Sequence, residues 1–351
     1  MFKACTLLAA ALACSGASAQ DVLLIPYSTN GSVWVFSAAD GTLIDNAFIT
    51  DPGSDGGVDV FDRPIEAMIS ASGTILITDQ FADVVSEFNP DGSFVGVFSL
   101  GGALDLDIMD NIRGGHVLTS GPGAGDVLVT NYGRLNDLVV SQKNVKRLSP
   151  TDGSEKTDFA FNRYGGIRGP FDVIEYNGEV LVADEGQDKI VRYTLEGKFI
   201  DLFASFINFP QLDFPEQIAE ASNGNLLVCA FSSGVILEFD PTGTLVGQYD
   251  PGTLDLYRGI VELDNGNLLV TTSTGVYEVT RTGVVVDVEA EGTGFRYITR
   301  YTPPKASPLA ARSTPSERTK LEMPPPDPRP RQEAINDELG LNRPVKKGGE
   351  R

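Results

Sequence analysis

GPFDVIEYNGEVLVADEGQDKIVRYTLEGKFIDLF, residues 169–203, contains four short apolar segments separated by turn residues. Asn177-Gly178 separates the first two segments and Glu196-Gly197 the last two. Val, Ile, Phe and Tyr fill the segments, as they do in β-strands, and Asn-Gly is a strong signal of a tight hairpin turn. The stretch therefore predicts one four-stranded antiparallel meander.

The last turn of this meander recurs along the chain. Each copy has a Gly after Asp, Glu or Thr, and successive glycines are 51, 61, 44, 46 and 40 residues apart. The six turns are Asp40-Gly41, Asp91-Gly92, Asp152-Gly153, Glu196-Gly197, Thr242-Gly243 and Thr282-Gly283. Repeats of this length, each a four-stranded sheet, are typical of β-propeller blades. Six turns predict six blades.

The two ends of the repeat region predict how the ring closes. The first copy starts directly at its second strand, Asp21–Tyr27, and one strand, Gly294–Tyr301, is left over after the sixth copy. Three N-terminal strands and one C-terminal strand would form a shared blade and hide two sheet edges. The sequence therefore predicts an all-β fold, a six-bladed β-propeller over residues 21–301.

The segments outside the repeats have other compositions. Residues 1–19 join a Lys near the N-terminus, an apolar run and Ala17-Ser18-Ala19, which is typical of a cleaved export signal. We expect a periplasmic or extracellular protein; the alternative is a lipoprotein anchored through Cys14. Residues 302–351 contain 10 of the 21 prolines and few large apolar residues, which predicts a disordered tail. The alternative there is a short helix near Gln332–Leu339.

The charge excludes one class of partner. The chain has 27 Lys and Arg against 48 Asp and Glu, and the tail alone has more basic than acidic residues. The negative excess therefore lies in the repeat region, which argues against binding to nucleic acid. Cys229 is the one cysteine after the predicted signal, so no internal disulfide is expected. No later stretch is apolar enough to span a membrane, and we expect a monomer.

The meander resembles a known repeat. Gly169-Pro170-Phe171-Asp172-Val173, Gly178–Asp184 and Gly197-Lys198-Phe199-Ile200 are similar to the NHL repeat, with its Pro before the inner strand, its Gly-x-Val/Ile-x-Val-Ala-Asp core and its Gly-x-Phe-Leu/Ile ending. The resemblance is clearest in this blade, and residues 63–99 and 214–250 match more loosely. It implies the superfamily of six-bladed propellers that includes NHL proteins, the gluconolactonase group and TolB-like domains. It does not imply one activity.

Arginines recur at the start of the inner strands, where propeller loops meet the central channel. These candidate ligand-binding residues are Arg63, Arg113, Arg168, Arg258 and Arg296, and Phe214 marks the remaining blade. Several guanidinium groups at one mouth would suit a carboxylate, phosphate or sugar-acid ligand. The alternative is that each Arg pairs with a nearby carboxylate and joins two blades. Those carboxylates are Asp62, Glu66, Asp172 and Glu262.

A second set of residues carries oxygen ligands. The metal-dependent lactonases among the resembled propellers use a Glu, Asn and Asp set at the channel mouth, and Glu66, Asn131 and Asp184 are the nearest types in this chain. Such oxygens could hold Ca²⁺ or Mg²⁺. The alternative is that Asp and Asn at strand ends bond to nearby backbone amides.

These observations leave three function classes. The first is an exported, non-catalytic propeller that binds a small molecule or a protein at the channel face. The alternatives are a divalent-metal-dependent, lactonase-like hydrolase and a structural module associated with the cell envelope. His116 is the only histidine, which rules out a His-rich zinc site and paired-His catalysis.

Overall fold

The structure is a computed structural model, and it describes residues 20–100, 108–133, 143–161, 166–305, 307, 309 and 331–341. Six four-stranded antiparallel sheets follow one another along the chain. The first strands of consecutive blades contact one another and surround a central channel. The fold is the six-bladed β-propeller that the repeat predicts. The predicted export signal, residues 1–19, and the alternative anchor at Cys14 lie outside the described residues.

Each blade has its strands in sequence order from the channel outward, except that the first takes its inner strand from the end of the chain. Blade 1 consists of β26 (Thr299–Tyr301), β1 (Val22–Tyr27), β2 (Ser32–Ser37) and β3 (Leu43–Thr50). A small hairpin follows, β4 (Ser54–Asp55) and β5 (Val58–Asp59). Blade 2 consists of β6 (Pro64–Ile69), β7 (Ile75–Asp79), β8 (Val84–Phe88) and β9 (Phe94–Ser99).

The remaining four blades lie wholly between residues 112 and 291. Blade 3 has β10 (Ile112–Val117), β11 (Val127–Asn131), β12 (Asn144–Leu148) and β13 (Ala160–Phe161). Blade 4 has β14 (Pro170–Tyr176), β15 (Glu179–Asp184), β16 (Lys189–Tyr193) and β17 (Phe199–Ser205). Blade 5 has β18 (Pro215–Glu220), β19 (Leu226–Ala230), β20 (Val235–Phe239) and β21 (Leu245–Tyr249). Blade 6 has β22 (Gly259–Glu262), β23 (Leu268–Thr271), β24 (Gly275–Val279) and β25 (Val285–Glu291).

The core lies between the blades. In β19, Leu226, Val228 and Ala230 pack against blade 4, whereas Leu227 and Cys229 pack against blade 6. Successive side chains of a strand point to opposite faces, so a sheet covered on both faces needs an unbroken apolar run. One such cluster fills each of the six interfaces between neighbouring blades. Cys229 is a buried free thiol, as expected from its apolar neighbours.

The six predicted turn glycines all have a positive φ, between 64° and 86°. At four of these glycines a Cβ would also collide with the backbone carbonyl of a Phe in the preceding blade. That Phe lies in the last strand of the blade or directly before it; for Gly197 it is Phe159. These turns therefore need Gly both for its left-handed backbone and for its lack of a side chain. The recurring contact sets the spacing between blades.

The C-terminal segment differs in part from the predicted disordered tail. Residues 331–341 include a helix, α1 (Arg331–Glu338), that lies at the channel mouth. Earlier in the tail, Leu309 is buried in the cluster between blades 1 and 2. This segment agrees with the alternative of a short helix near Gln332–Leu339. The acidic end of the helix contacts arginines of the propeller. Among the described residues, no helix has the length and apolarity needed to cross a bilayer.

Candidate binding site at the channel mouth

Four of the five predicted arginines converge at the mouth of the channel. Arg63 directly precedes β6, Arg113 lies in β10, Arg258 directly precedes β22 and Arg296 lies shortly before β26. Their exposed fractions are 5%, 1%, 0% and 3%. All four lie at or just before the start of an inner strand, so blades 1, 2, 3 and 6 each contribute one guanidinium group. We call these four residues the arginine ring.

The side chain of Glu338 occupies the centre of the arginine ring. Its Oε1 and Oε2 lie 2.8 and 2.6 Å from Nη1 of Arg296, and Oε2 accepts a hydrogen bond from Nε of Arg258 at 2.8 Å. Arg113 Nη1 lies 3.6 Å from Oε1, and Arg63 Nη2 lies 3.9 Å from Oε2. One carboxylate with a side chain 2% exposed is therefore held by four cations.

The charges at the mouth favour an anion. Burial alone would raise the pKa of Glu338, but the four surrounding guanidinium groups lower it well below its usual value. Asp337 adds a second carboxylate, 3.0 Å from Nη2 of Arg63, with a side chain 33% exposed. Buried charges are tolerated when they are paired and hydrogen-bonded. The arginine ring holds the buried carboxylate of Glu338.

Aromatic rings hold three of the guanidinium groups in place. The guanidinium carbon of Arg113 lies 3.9 Å from the ring centroid of Phe171, that of Arg63 5.0 Å from Phe81, and that of Arg258 5.5 Å from Phe231. A cation over an aromatic face is attracted to the negative potential of the ring. The site is therefore pre-organised by side chains of the propeller itself.

Arg168 does not join the ring. Its side chain is exposed, and its backbone N–H donates to Asp184. Phe214, which marks the blade without an arginine, lies in the aromatic cluster at the mouth. The alternative that each arginine pairs with a carboxylate nearby in sequence does not describe the four ring residues, since their anionic partners are Asp337 and Glu338. Glu262, for example, pairs with Arg281.

The acidic and amide side chains near the inner-strand starts connect neighbouring blades. Glu66 Oε2 accepts a hydrogen bond from Gly115 N–H at 2.6 Å, and Asp172 Oδ2 accepts one from Ile218 N–H at 2.8 Å. Gln217 Oε1 likewise accepts from Ile260 and Ile298. Each of the three side chains lies at a β-bulge of its inner strand. The bulge comes directly before Glu66 in β6 and before Asp172 in β14, and it includes Gln217 in β18. Bulges change the direction in which a side chain points.

Burial of these groups changes their protonation. Burial, followed by the charge of Asp172, raises the pKa of Glu66 well above its usual value, and burial raises the pKa of Asp172 to about 7. The two carboxyl groups interact, so their titrations are linked. They are parts of the blade-to-blade hydrogen bonding.

The strand-end residues of the predicted metal set bond to nearby groups. Asp184 Oδ1 accepts from the N–H groups of Arg168 and Gly169, at 2.9 and 2.6 Å. Asn131 Oδ1 accepts from the N–H of Asp110, and its amide donates to Asn144. These are the turn contacts that the alternative interpretation expects.

Glu66, Asn131 and Asp184 each use an oxygen to hold the N–H groups of a different blade junction or turn. Within the part of the chain that the structure describes, no three His, Cys, Asp or Glu side chains are grouped as metal ligands.

Glu216 is a buried group that the sequence patterns do not single out. It is 0% exposed, and neither carboxylate oxygen has a hydrogen-bond partner among the described residues. Burial and the charge of Glu338 raise its pKa well above the usual value, while Arg258, Arg296 and Arg113 oppose that rise. An unpaired buried carboxyl costs roughly 1–3 kcal/mol. The only available signal is its position directly after Pro215, where the bulge in β18 turns it toward the arginines.

A cavity of about 220 Å³ lies beside α1. Arg63, Arg296 and Asp337 line it, together with Asp62, Phe81 and residues of the loops before β2 and β26. Part of the arginine ring can therefore be reached from solvent while the helix is in place.

The comparisons with known proteins identify the fold. No protein-family model matches the chain, and the search of curated proteins finds no relative. A structure of a nidogen/laminin complex is similar with a TM-score of 0.61 and 13% identity, over 80% of this chain and 98% of that one. A protein of unknown function from Bacteroides caccae has a TM-score of 0.54 and 12% identity, over the same shares.

An enzyme is also among the similar structures. A catalytically inactive variant of virginiamycin B lyase from Staphylococcus aureus, with quinupristin, has a TM-score of 0.51 and 16% identity, over 82% of this chain and 94% of that one. Likenesses at such low identity carry information about architecture alone. The comparisons therefore show the six-bladed β-propeller fold and no activity.

Proposed function

We propose that the protein is a non-catalytic binding propeller that takes a carboxylate ligand at the arginine ring. One observation carries the proposal: four arginines from four blades surround a single buried carboxylate. Replacing buried ion pairs by apolar side chains is often neutral or stabilising, so four buried cations are a poor way to stabilise a fold. Planar guanidinium groups are well suited to binding carboxylates.

The alternative functions have less support. A lactonase-like hydrolase would use Glu66, Asn131 and Asp184, but each of these side chains already holds a backbone N–H. A structural envelope module would not need a pre-organised ring of cations. We also propose that the protein is exported, on the pattern of residues 1–19.

Chemical rescue tests the carboxylate site. Glu338→Ala leaves the fold intact but removes the anion from the ring and leaves room for a small carboxylate. We expect the variant to melt below the wild type and sodium propionate to raise its melting temperature, because a ligand that binds only the folded state stabilises it. Sodium chloride at equal ionic strength should give a smaller rise.

Glu333→Ala is the matched control, since Glu333 lies on the same helix with an exposed side chain. Propionate should leave the melting temperatures of this variant and of the wild type unchanged relative to chloride. Equal effects of propionate and chloride on Glu338→Ala, in a variant whose circular dichroism retains the β-sheet signal, would contradict the proposal.

A further inference from the structure

The mouth binds more than a carboxylate. Ala334 is fully buried, and Ile335 and Leu339 pack beside it against an aromatic cluster of the propeller. The residues of that cluster are Tyr132, Phe171, Phe214, Phe231 and Leu256. Blades 3 to 6 thus provide an apolar surface directly beside the arginine ring. A small carboxylate would leave this surface uncovered.

The mouth also binds the backbone of its occupant. Arg63 Nη1 donates to the carbonyl of Asp337 at 2.7 Å, Arg113 Nη2 to that of Glu338 at 2.6 Å, and Asn111 Nδ2 to that of Leu339 at 3.2 Å. The last carbonyls of a helix have no partner within the helix, and cations are favourable at that end. The site therefore recognises the C-terminal end of a helix.

The occupant ends in a defined capping motif. Gly340 N–H bonds to the carbonyl of Asp337, and Leu341 N–H bonds to that of Asn336. Gly340 has a φ of 77°, and a Cβ there would lie 3.1–3.3 Å from Gln80, Asn111 and Phe81. This is a Schellman cap with Gly at the left-handed position. The close fit requires that Gly.

The helix does not contribute to the packing between the blades of the propeller. The six clusters between blades contain no residue of 331–341, and only the aromatic cluster at the mouth includes them. An isolated helix of eight residues is marginal in water, so α1 depends on this contact. The helix occupies the mouth as a ligand would.

The helix also satisfies the site incompletely. Nε of Arg113, Nη2 of Arg258 and both oxygens of Glu216 have no hydrogen-bond partner among the described residues, although all are buried. Buried donors and acceptors without partners cost free energy, so the resident helix is held less tightly than a fully satisfied contact would be. The resident segment is covalently tethered, so a free peptide takes the mouth once it exceeds the effective concentration that the tether gives.

We propose that the mouth is a peptide-recognition site for a short acidic helix that ends in Asp-Glu-Leu-Gly, and that residues 331–341 are an exchangeable occupant. The proposal rests on the proposed function and names its ligand class. The ligand places a small residue and an aliphatic residue on the aromatic cluster, its Glu in the arginine ring and its capping Gly beside Asn111. A free peptide of this kind competes with the resident helix.

Binding of a synthetic peptide to the full chain tests the proposal. Glu338→Arg places a fifth cation in the ring, which expels the resident helix and frees the mouth. The probe is a fluorescent peptide with the sequence of residues 331–341, RQEAINDELGL, followed by anisotropy. We expect saturable binding to the variant, at least tenfold weaker binding of a peptide with Gln in place of Glu338, and weaker binding to the wild type, whose mouth is occupied.

Ala334→Asp in the full chain is the second way to free the mouth, since it puts a charge against the aromatic cluster, and it should bind the same peptide. Absence of peptide binding to both folded variants, with propionate still rescuing Glu338→Ala, would overturn the peptide proposal and leave the carboxylate site standing. Equal binding of the Glu and Gln peptides would likewise overturn it. Failure of propionate as well would remove the proposed function itself.

Discussion

Arg296 Nη1 lies 2.6 Å from Oε2 of Glu338, and both side chains are almost completely buried. Arg296 belongs to the loop that leads into the closing strand of the propeller, and Glu338 ends the C-terminal helix. The contact between these two side chains therefore links the closure of the propeller to the position of the C-terminal helix. This distance is the shortest of the four between the Glu338 carboxylate and the arginine ring. The Arg296–Glu338 pair is therefore suited to measuring that coupling.

A double-mutant cycle on this pair measures its interaction energy. Glu338→Gln leaves four cations around a neutral amide, and we expect urea unfolding to show a loss of at most about 3–5 kcal/mol, because the helix can leave the mouth and let water reach the ring. Arg296→Met should cost less, since three cations still hold Glu338. The double variant should lose less than the sum of the two single losses, by roughly 0.5–3 kcal/mol. Strict additivity would show that the pair does not interact.

The turn glycines predict a contrast within blade 4. Gly197→Ala forces a side chain into a left-handed backbone and against the carbonyl of Phe159. Gly178 has a similar φ of 75°, but a Cβ there meets nothing within 4 Å. We expect Gly178→Ala to cost about 1–2 kcal/mol from the backbone alone and Gly197→Ala clearly more. Urea midpoints measure both, and equal costs would mean that the contact between blades is not tight.

Asp172 predicts that stability falls with rising pH. Its pKa is raised from 3.8 to about 7 by burial, so the folded state keeps a proton that the unfolded state releases. The contribution of protonated Asp172 to the free energy of unfolding is therefore full below pH 3.8. It is lost as the pH rises from there through about 7, at up to ~1.4 kcal/mol per pH unit. Asp172→Asn should flatten the pH profile between 4 and 7, with exposed Asp201→Asn as control. An unchanged profile would show that Asp172 is ionised throughout.

Glu216 predicts a stabilising substitution. Since burial raises its pKa well above the usual value, its carboxyl opposes folding once the pH exceeds that usual value. Glu216→Gln removes the ionisable group, and we expect a gain of roughly 1–2 kcal/mol at pH 7 that shrinks toward pH 4. Thermal unfolding at the two pH values measures it. A loss at pH 7 would mean that ionised Glu216 neutralises Arg258 and Arg296.

The repeat made the architecture predictable. The six Gly turns and the unbroken apolar strands are local signals: the first indicate a left-handed backbone at the turn, and the second indicate a strand covered on both faces. The arginines were predictable for the same reason, since they recur at one structural position in successive blades. Arg168 follows the same pattern, but its side chain is exposed and does not join the arginine ring.

The partner of the ring was not predictable from local patterns. Glu338 is 225 residues from Arg113, in a Pro-rich, polar tail with no periodicity that points to a contact. Glu216 and Gln217 are adjacent polar residues, and only the bulge between Pro215 and Ile218 decides that Gln217 holds the neighbouring backbone while Glu216 is left unpaired. Such bulges depend on the packing of the whole inner strand and leave no sequence signature.

The pairing of β1 with β26 also constrains how the chain folds. Val22 lies opposite Tyr301, so β1 waits for β26, the last strand of the propeller in the sequence, before its sheet is complete. Contacts between such distant residues slow folding, and the open edge of β1 is exposed to wrong pairing in the meantime. Refolding should therefore show an early phase in which blades 2 to 6 form and a late phase in which blade 1 closes the propeller. Only after that late phase do Arg296 and the other three arginines stand together, so the ligand site exists only in the finished ring.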